Sequence, residues 1–134
     1  MGDVAVSEQP TVECTSVVDL CAAMQQLDGD AELLQEIVEI FVETAPEQLQ
    51  GIAGAIDSGD VDQVALVAHG MKGGASNFCA GRFVESARAL EMLAKGGSLD
   101  GARALFLQME SDFSDLAEVA AVINWLEVQR GWTA

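Results

Sequence analysis

The chain has 134 residues, 50% of them hydrophobic, and sets 6 Lys and Arg against 22 Asp and Glu, a formal net charge of −16. This length and apolar content suffice for one compact core, while the charge repels both the phosphate backbone of nucleic acid and an anionic lipid surface. Stretches without a charged residue, such as Gln63 to Met71, fall well short of the roughly 20 apolar residues of a membrane span, so neither nucleic acid nor a membrane is expected as a partner.

Residues 1–14 have no positive n-region and no apolar h-region, so they read as a flexible tail on a chain expected in the cytoplasm. Cys14, Cys21 and Cys79 are odd in number and form no C-x-x-C pair. That argues against a disulfide framework and a zinc site, and for reduced, buried thiols. From residue 15 to residue 128 apolar residues recur at helical spacing, and no run alternates as a half-buried strand does, so the chain is expected to be all-α. Thr15 or Ser16 caps a short first helix bearing Val18, Leu20, Cys21 and Met24, which ends before Asp28-Gly29. Asp30 caps the second, with Leu33, Leu34, Ile37, Ile40 and Phe41, then Leu49, Ile52, Ala53 and Ile56. Pro46 within it either kinks the helix or restarts it.

Asp60, after Ser58-Gly59, caps a third helix running to about Phe78. A fourth spans Arg82 to Lys95 and stops at Gly96-Gly97, and a fifth begins after Ser98 or Asp100 and extends through Val119, as far as Trp125 at most. Residues 129–134 read as a C-terminal tail. Short connections between long amphipathic helices argue for an antiparallel bundle, expected to be monomeric.

On the third helix Val64, Ala68, Met71, Ala75 and Phe78 form one apolar stripe. His69, the one histidine, lies on roughly the opposite side with Asp62, Ala65, Leu66, Lys72, Gly73 and Ser76. A surface His with a Lys at i+3 arises easily by chance, but three features add weight. Gly73 and Gly74 stand inside a helix, where each costs on the order of 1 kcal/mol relative to Ala, so the bare surface beside the ring points to something that must fit. Lys72 is the first cation of the chain, none occurring in residues 1–71, and locally corrects a field that repels phosphate. Neutral imidazole is a nucleophile, and phosphoryl transfer requires mainly in-line positioning and charge stabilisation.

The run Ala68-His69-Gly70-Met71-Lys72-Gly73-Gly74-Ala75, with Ala89-Leu90-Glu91 downstream and Gly29-Asp30, Phe41, Pro46 and Ser58-Gly59-Asp60 upstream, resembles the histidine-containing phosphotransfer (HPt) domain of two-component phosphorelays over residues 15–125. The resemblance implies an up-down-up-down four-helix bundle with an additional short N-terminal helix. It also implies that His69 takes a phosphoryl group on Nε2 from an aspartyl-phosphate and passes it to another aspartate. Lys72 would then neutralise phosphoryl charge, Gly73 would admit the partner, and Glu91 would hold Nδ1 from the neighbouring helix. Arg88 would add positive charge, and Asp62, Ala65, Leu66, Ser76 and Arg88 would form the docking rim.

The implied partners are a response-regulator receiver domain and a hybrid sensor histidine kinase; catalysis and any Mg²⁺ belong to the partner, with no cofactor or metal on this chain. Cys79 stands where the family usually has glycine, and Gly74-Ala75 is similar to the phosphotransfer domains of chemotaxis kinases, which leaves a phospho-accepting kinase domain as an alternative. A non-catalytic acidic interaction bundle is another. One His without clustered Cys is a poor metal ligand set, and no glycine-rich nucleotide loop occurs.

Overall fold

In the computed structural model, residues 17–131 are described and form six α-helices. They are α1 (Leu20–Gln26), α2 (Ala31–Ser58), α3 (Val61–Ser76), α4 (Gly81–Lys95), α5 (Ala102–Ala121) and α6 (Trp125–Gly131). Three starts are set by an aspartate whose carboxylate accepts an otherwise unpaired first-turn amide. Asp19 accepts from Ala22 N at 3.0 Å, Asp30 from Leu33 N at 3.0 Å and Asp60 from Gln63 N at 3.1 Å. The cap of α1 is therefore Asp19, and the expected caps Thr15 and Ser16 lie outside the described residues, as does the tail of residues 1–14. Between α2 and α3 the chain reverses in two residues, because Gly59 at φ 74° closes one helix and Asp60 opens the next.

The 28-residue helix α2 runs through Pro46 without interruption. Pro46 is exposed, on a side where water can satisfy the carbonyl left without a donor. Each of α2 to α5 packs on its chain neighbour, and α5 returns to α2. With short connections this closes an antiparallel four-helix bundle, to which α1 is added along α2. Phe41 ties the layers together: its ring centroid is 5.3 Å from that of Phe78, 5.4 Å from Phe83 and 6.2 Å from Phe113. These aromatic pairs add roughly 0.5–1.5 kcal/mol each beyond the area they bury.

Two expectations are corrected at the ends. The segment expected as a tail from residue 129 is helical as far as Gly131, and residues 132–134 lie outside the described residues. The fifth helix stops at Ala121, and Asn124 Oδ1 accepts from Glu127 N at 3.2 Å, which starts α6. α6 packs on α2 and buries Val128, and its Gln129 side-chain Oε1 accepts from Ala31 N at 3.2 Å. Of the thiols, Cys79 is free as expected though only partly buried, whereas Cys21 is disulfide-bonded, against the expectation of reduced cysteines, and Cys14 lies outside the described residues. Cys79 adopts φ 58°, a left-handed conformation that glycine takes without cost. Burial, then the charge of Asp19, pushes its thiol up from the ordinary range.

Candidate functional site

The site stands on the seam between α3 and α4. Val64, Ala68, Met71 and Ala75 are buried as the stripe requires, which leaves the His69 side chain 63% exposed. On α4 the buried residues Phe83, Ala87, Leu90 and Ala94 include one charged neighbour on the same inner face, Glu91, only 2% exposed. A carboxylate so placed must be paired or remain neutral. Glu91 Oε2 lies 2.8 Å from His69 Nδ1 and 3.0 Å from Lys95 Nζ, while Oε1 lies 2.8 Å from Lys72 Nζ and has no partner beyond that ammonium.

The Lys72 ammonium holds the Glu91 carboxyl down at about 2; burial opposes this, and Lys95 and His69 add to the lowering. Glu91 is therefore ionised at neutral pH and can only accept a hydrogen bond. The proton in the 2.8 Å contact consequently sits on Nδ1, and in the neutral ring Nε2 keeps its lone pair. The only two lysines of the sequence both stand on this one carboxylate. Two ammonium groups against one carboxylate leave one positive charge in excess beside the ring, in a chain of net charge −16.

Helical projection placed Lys72 on the exposed face. The structure corrects this: α4 leans over that side, and the Lys72 side chain is only 25% exposed, drawn down onto Glu91. Sequence reasoning missed Lys95, although its i+4 spacing from Glu91 is the signal of a helical ion pair. The two glycines also separate. A Cβ on Gly74 would stand 3.3 Å from Phe41 Cδ1, so the core accounts for Gly74. A Cβ on Gly73 would meet nothing within 4 Å, so no contact among the described residues accounts for its bare surface.

A groove beside the ring is lined by Asp62, Ala65 and Leu66 from α3, by Ala94 and Lys95 at the end of α4 and by Gly97 just beyond it. It joins three of the five expected docking residues to His69, and Leu66 is 66% exposed there. The other two are not brought in. Ser76 lies two turns along α3, roughly 10 Å at 1.5 Å per residue, its hydroxyl donating to Gly73 O at 2.8 Å. Arg88 faces Glu85 at 3.7 Å instead of the ring. Among the described residues no group of three or more His, Cys, Asp or Glu is arranged to hold a metal ion, and no helix is long and apolar enough to cross a membrane.

An exposed imidazole, its inner nitrogen held by an ionised carboxylate and its surroundings locally cationic, is suited to carrying an anionic electrophile on its outer nitrogen. Residues 36–119 match the family model described as Hpt domain. No curated protein matches the chain. Among solved structures, the chain is similar to histidine-containing phosphotransfer protein B (HptB) from Pseudomonas aeruginosa PAO1. The identity is 27% and the TM-score 0.73, over 85% of this chain and 96% of that one.

Proposed function

The chain belongs to the Hpt domain family, whose model spans more than half of it, and from that premise we propose that His69 reversibly carries a phosphoryl group between receiver-domain aspartates. The observation that carries this reading is the 2.8 Å contact between His69 Nδ1 and the buried Glu91 carboxylate, which leaves Nε2 as the nucleophile. Nε2 attacks the phosphorus of an aspartyl-phosphate: the N–P bond forms, the acyl phosphate P–O bond breaks, and the aspartate leaves as a free carboxylate. No proton needs to move, because Nδ1 keeps its hydrogen; the ring becomes cationic and Glu91 stabilises that charge. Lys72 and Lys95 offset the charge of the phosphoryl group, and the open surface at Gly73 admits the partner. The reverse attack by a second aspartate returns the ring to its starting state.

Hpt domains are phosphocarriers and not enzymes in themselves; here the catalytic groups, including Mg²⁺, belong to the receiver partner. The relay runs from a hybrid histidine kinase to a response regulator in the cytoplasm, with the chain as a monomer. The similarity to a histidine-containing phosphotransfer protein supports the carrier reading. Incubation with a receiver domain labelled on its aspartyl-phosphate tests it. Wild type acquires acid-labile, base-stable label and the His69→Gln variant none; equal labelling of the two ends the reading.

A further inference from the structure

Away from His69, helices α2, α5 and α6 enclose a second concavity of about 540 Å³. Its floor includes Val42, Ala117, Ala120 and Trp125, and Glu39 and Glu43 stand on its rim. Ile123 and Trp125 line it, and their chain neighbours Val122 and Leu126 are 80% and 70% exposed, more than any other large apolar side chain among the described residues. Exposed apolar surface of this kind marks a contact site. The floor alanines leave room for a partner backbone to approach closely.

The rim decides what kind of partner fits. Among the described residues no Lys or Arg pairs with Glu39 or Glu43: five of the six cations stand on Glu91, Asp115, Glu85 and Asp57, and Arg130, on α6, does not line the groove. Unneutralised carboxylates along the α2 edge of an apolar floor complement a helix whose apolar stripe is bordered by Lys and Arg. We propose that this groove docks a cationic amphipathic helix of a partner protein. Charge argues against the other occupants. A second copy brings the same net −16, and residues 1–14 of this chain carry Asp3, Glu8 and Glu13 with no cation; anionic lipid is repelled likewise. Because α3 contacts neither α5 nor α6, a helix bound here leaves the His69 face open, so the chain can be held by one partner while another meets the ring. This inference does not depend on the phosphocarrier reading.

The probe is a synthetic amphipathic helix of Leu and Lys, about five turns long, titrated into the full chain and followed by ¹⁵N-resolved NMR and by calorimetry. Shifts are expected at Val42, Ala117 and Ala120 and not at His69. Affinity is expected to fall at least tenfold in the Glu39→Lys/Glu43→Lys variant and at 0.5 M salt, while Glu85→Lys/Asp100→Lys, equal in charge change and placed elsewhere, retains it; far-UV circular dichroism verifies that both variants fold. An equal loss in the two double variants would mean attraction to net charge alone and would overturn the proposal. So would shifts centred on α3, an absence of binding by wild type, or a dimer in sedimentation that Ala120→Arg dissolves, which would assign the groove to a second copy.

Discussion

Glu91 is a charged residue in a core position, and its three partners define the site. Its carboxyl is lowered from 4.5 to about 2, first by Lys72. A lowered carboxyl contributes stability that is present above the unfolded value and is lost as pH falls through the folded one. Replacing Glu91 by Gln leaves the half-buried Lys72 without its counter-ion, which costs on the order of 1–3 kcal/mol at neutral pH. Urea unfolding at a series of pH values should show this difference from wild type shrinking between pH 4.5 and about 2; a difference constant down to pH 2 would mean that the carboxylate is not so paired. Gly73 and Gly74 give a second contrast. Gly73→Ala is expected to raise stability by roughly 0.5–1 kcal/mol, the helix preference of Ala, while slowing transfer from a phosphorylated receiver. Gly74→Ala gains less, since Phe41 must give way by a few tenths of an ångström. Stability measured by denaturant, set beside transfer rates for the two variants, checks both halves.

At the scale of the element, what was legible followed from local chemistry. Asp30 and Asp60 were readable as caps because the aspartate precedes an apolar period, and Gly59 as a stop because it must adopt positive φ. α6 was not legible: Val119, Ala120 and Ile123 continue the pattern of α5, and only Asn124 marks the restart. Its packing is tested by a pair of substitutions. Val128→Ala, in a buried position, should cost about 2 kcal/mol from lost burial and cavity formation, whereas Leu126→Ala, 70% exposed, should leave the unfolding midpoint nearly unchanged. A silent Val128→Ala would detach α6 from the fold. Helical projection gave the direction of Lys72 but not its depth, because depth depends on how α4 lies across α3. Ser76, two turns along the same helix as His69, and Arg88, which meets Glu85, do not line the groove beside the ring.

Across the whole molecule, charge is distributed unevenly. All 6 Lys and Arg fall between residues 72 and 130, and the bundle gathers both lysines at one carboxylate beside the one imidazole. The fold thereby sets a small cationic island on an acidic body, which is what a phosphoryl group requires if it is to rest there. Family membership was legible from the run around His69 because that run joins a nucleophile, a cation and two glycines on consecutive turns. The role of Glu91 came from the family pattern, and only the packing of α4 on α3 supplies the distance that gives it physical content. If Glu91 holds Nδ1 in solution as it does in the bundle, the phosphoryl group is carried on Nε2. Phosphorus and nitrogen NMR of the phosphorylated chain under alkaline conditions tests it directly. A single phosphohistidine is expected, linked through Nε2 of His69 with Nδ1 protonated; a phosphoryl group on Nδ1, or none on His69, would mean that Glu91 does not direct the ring.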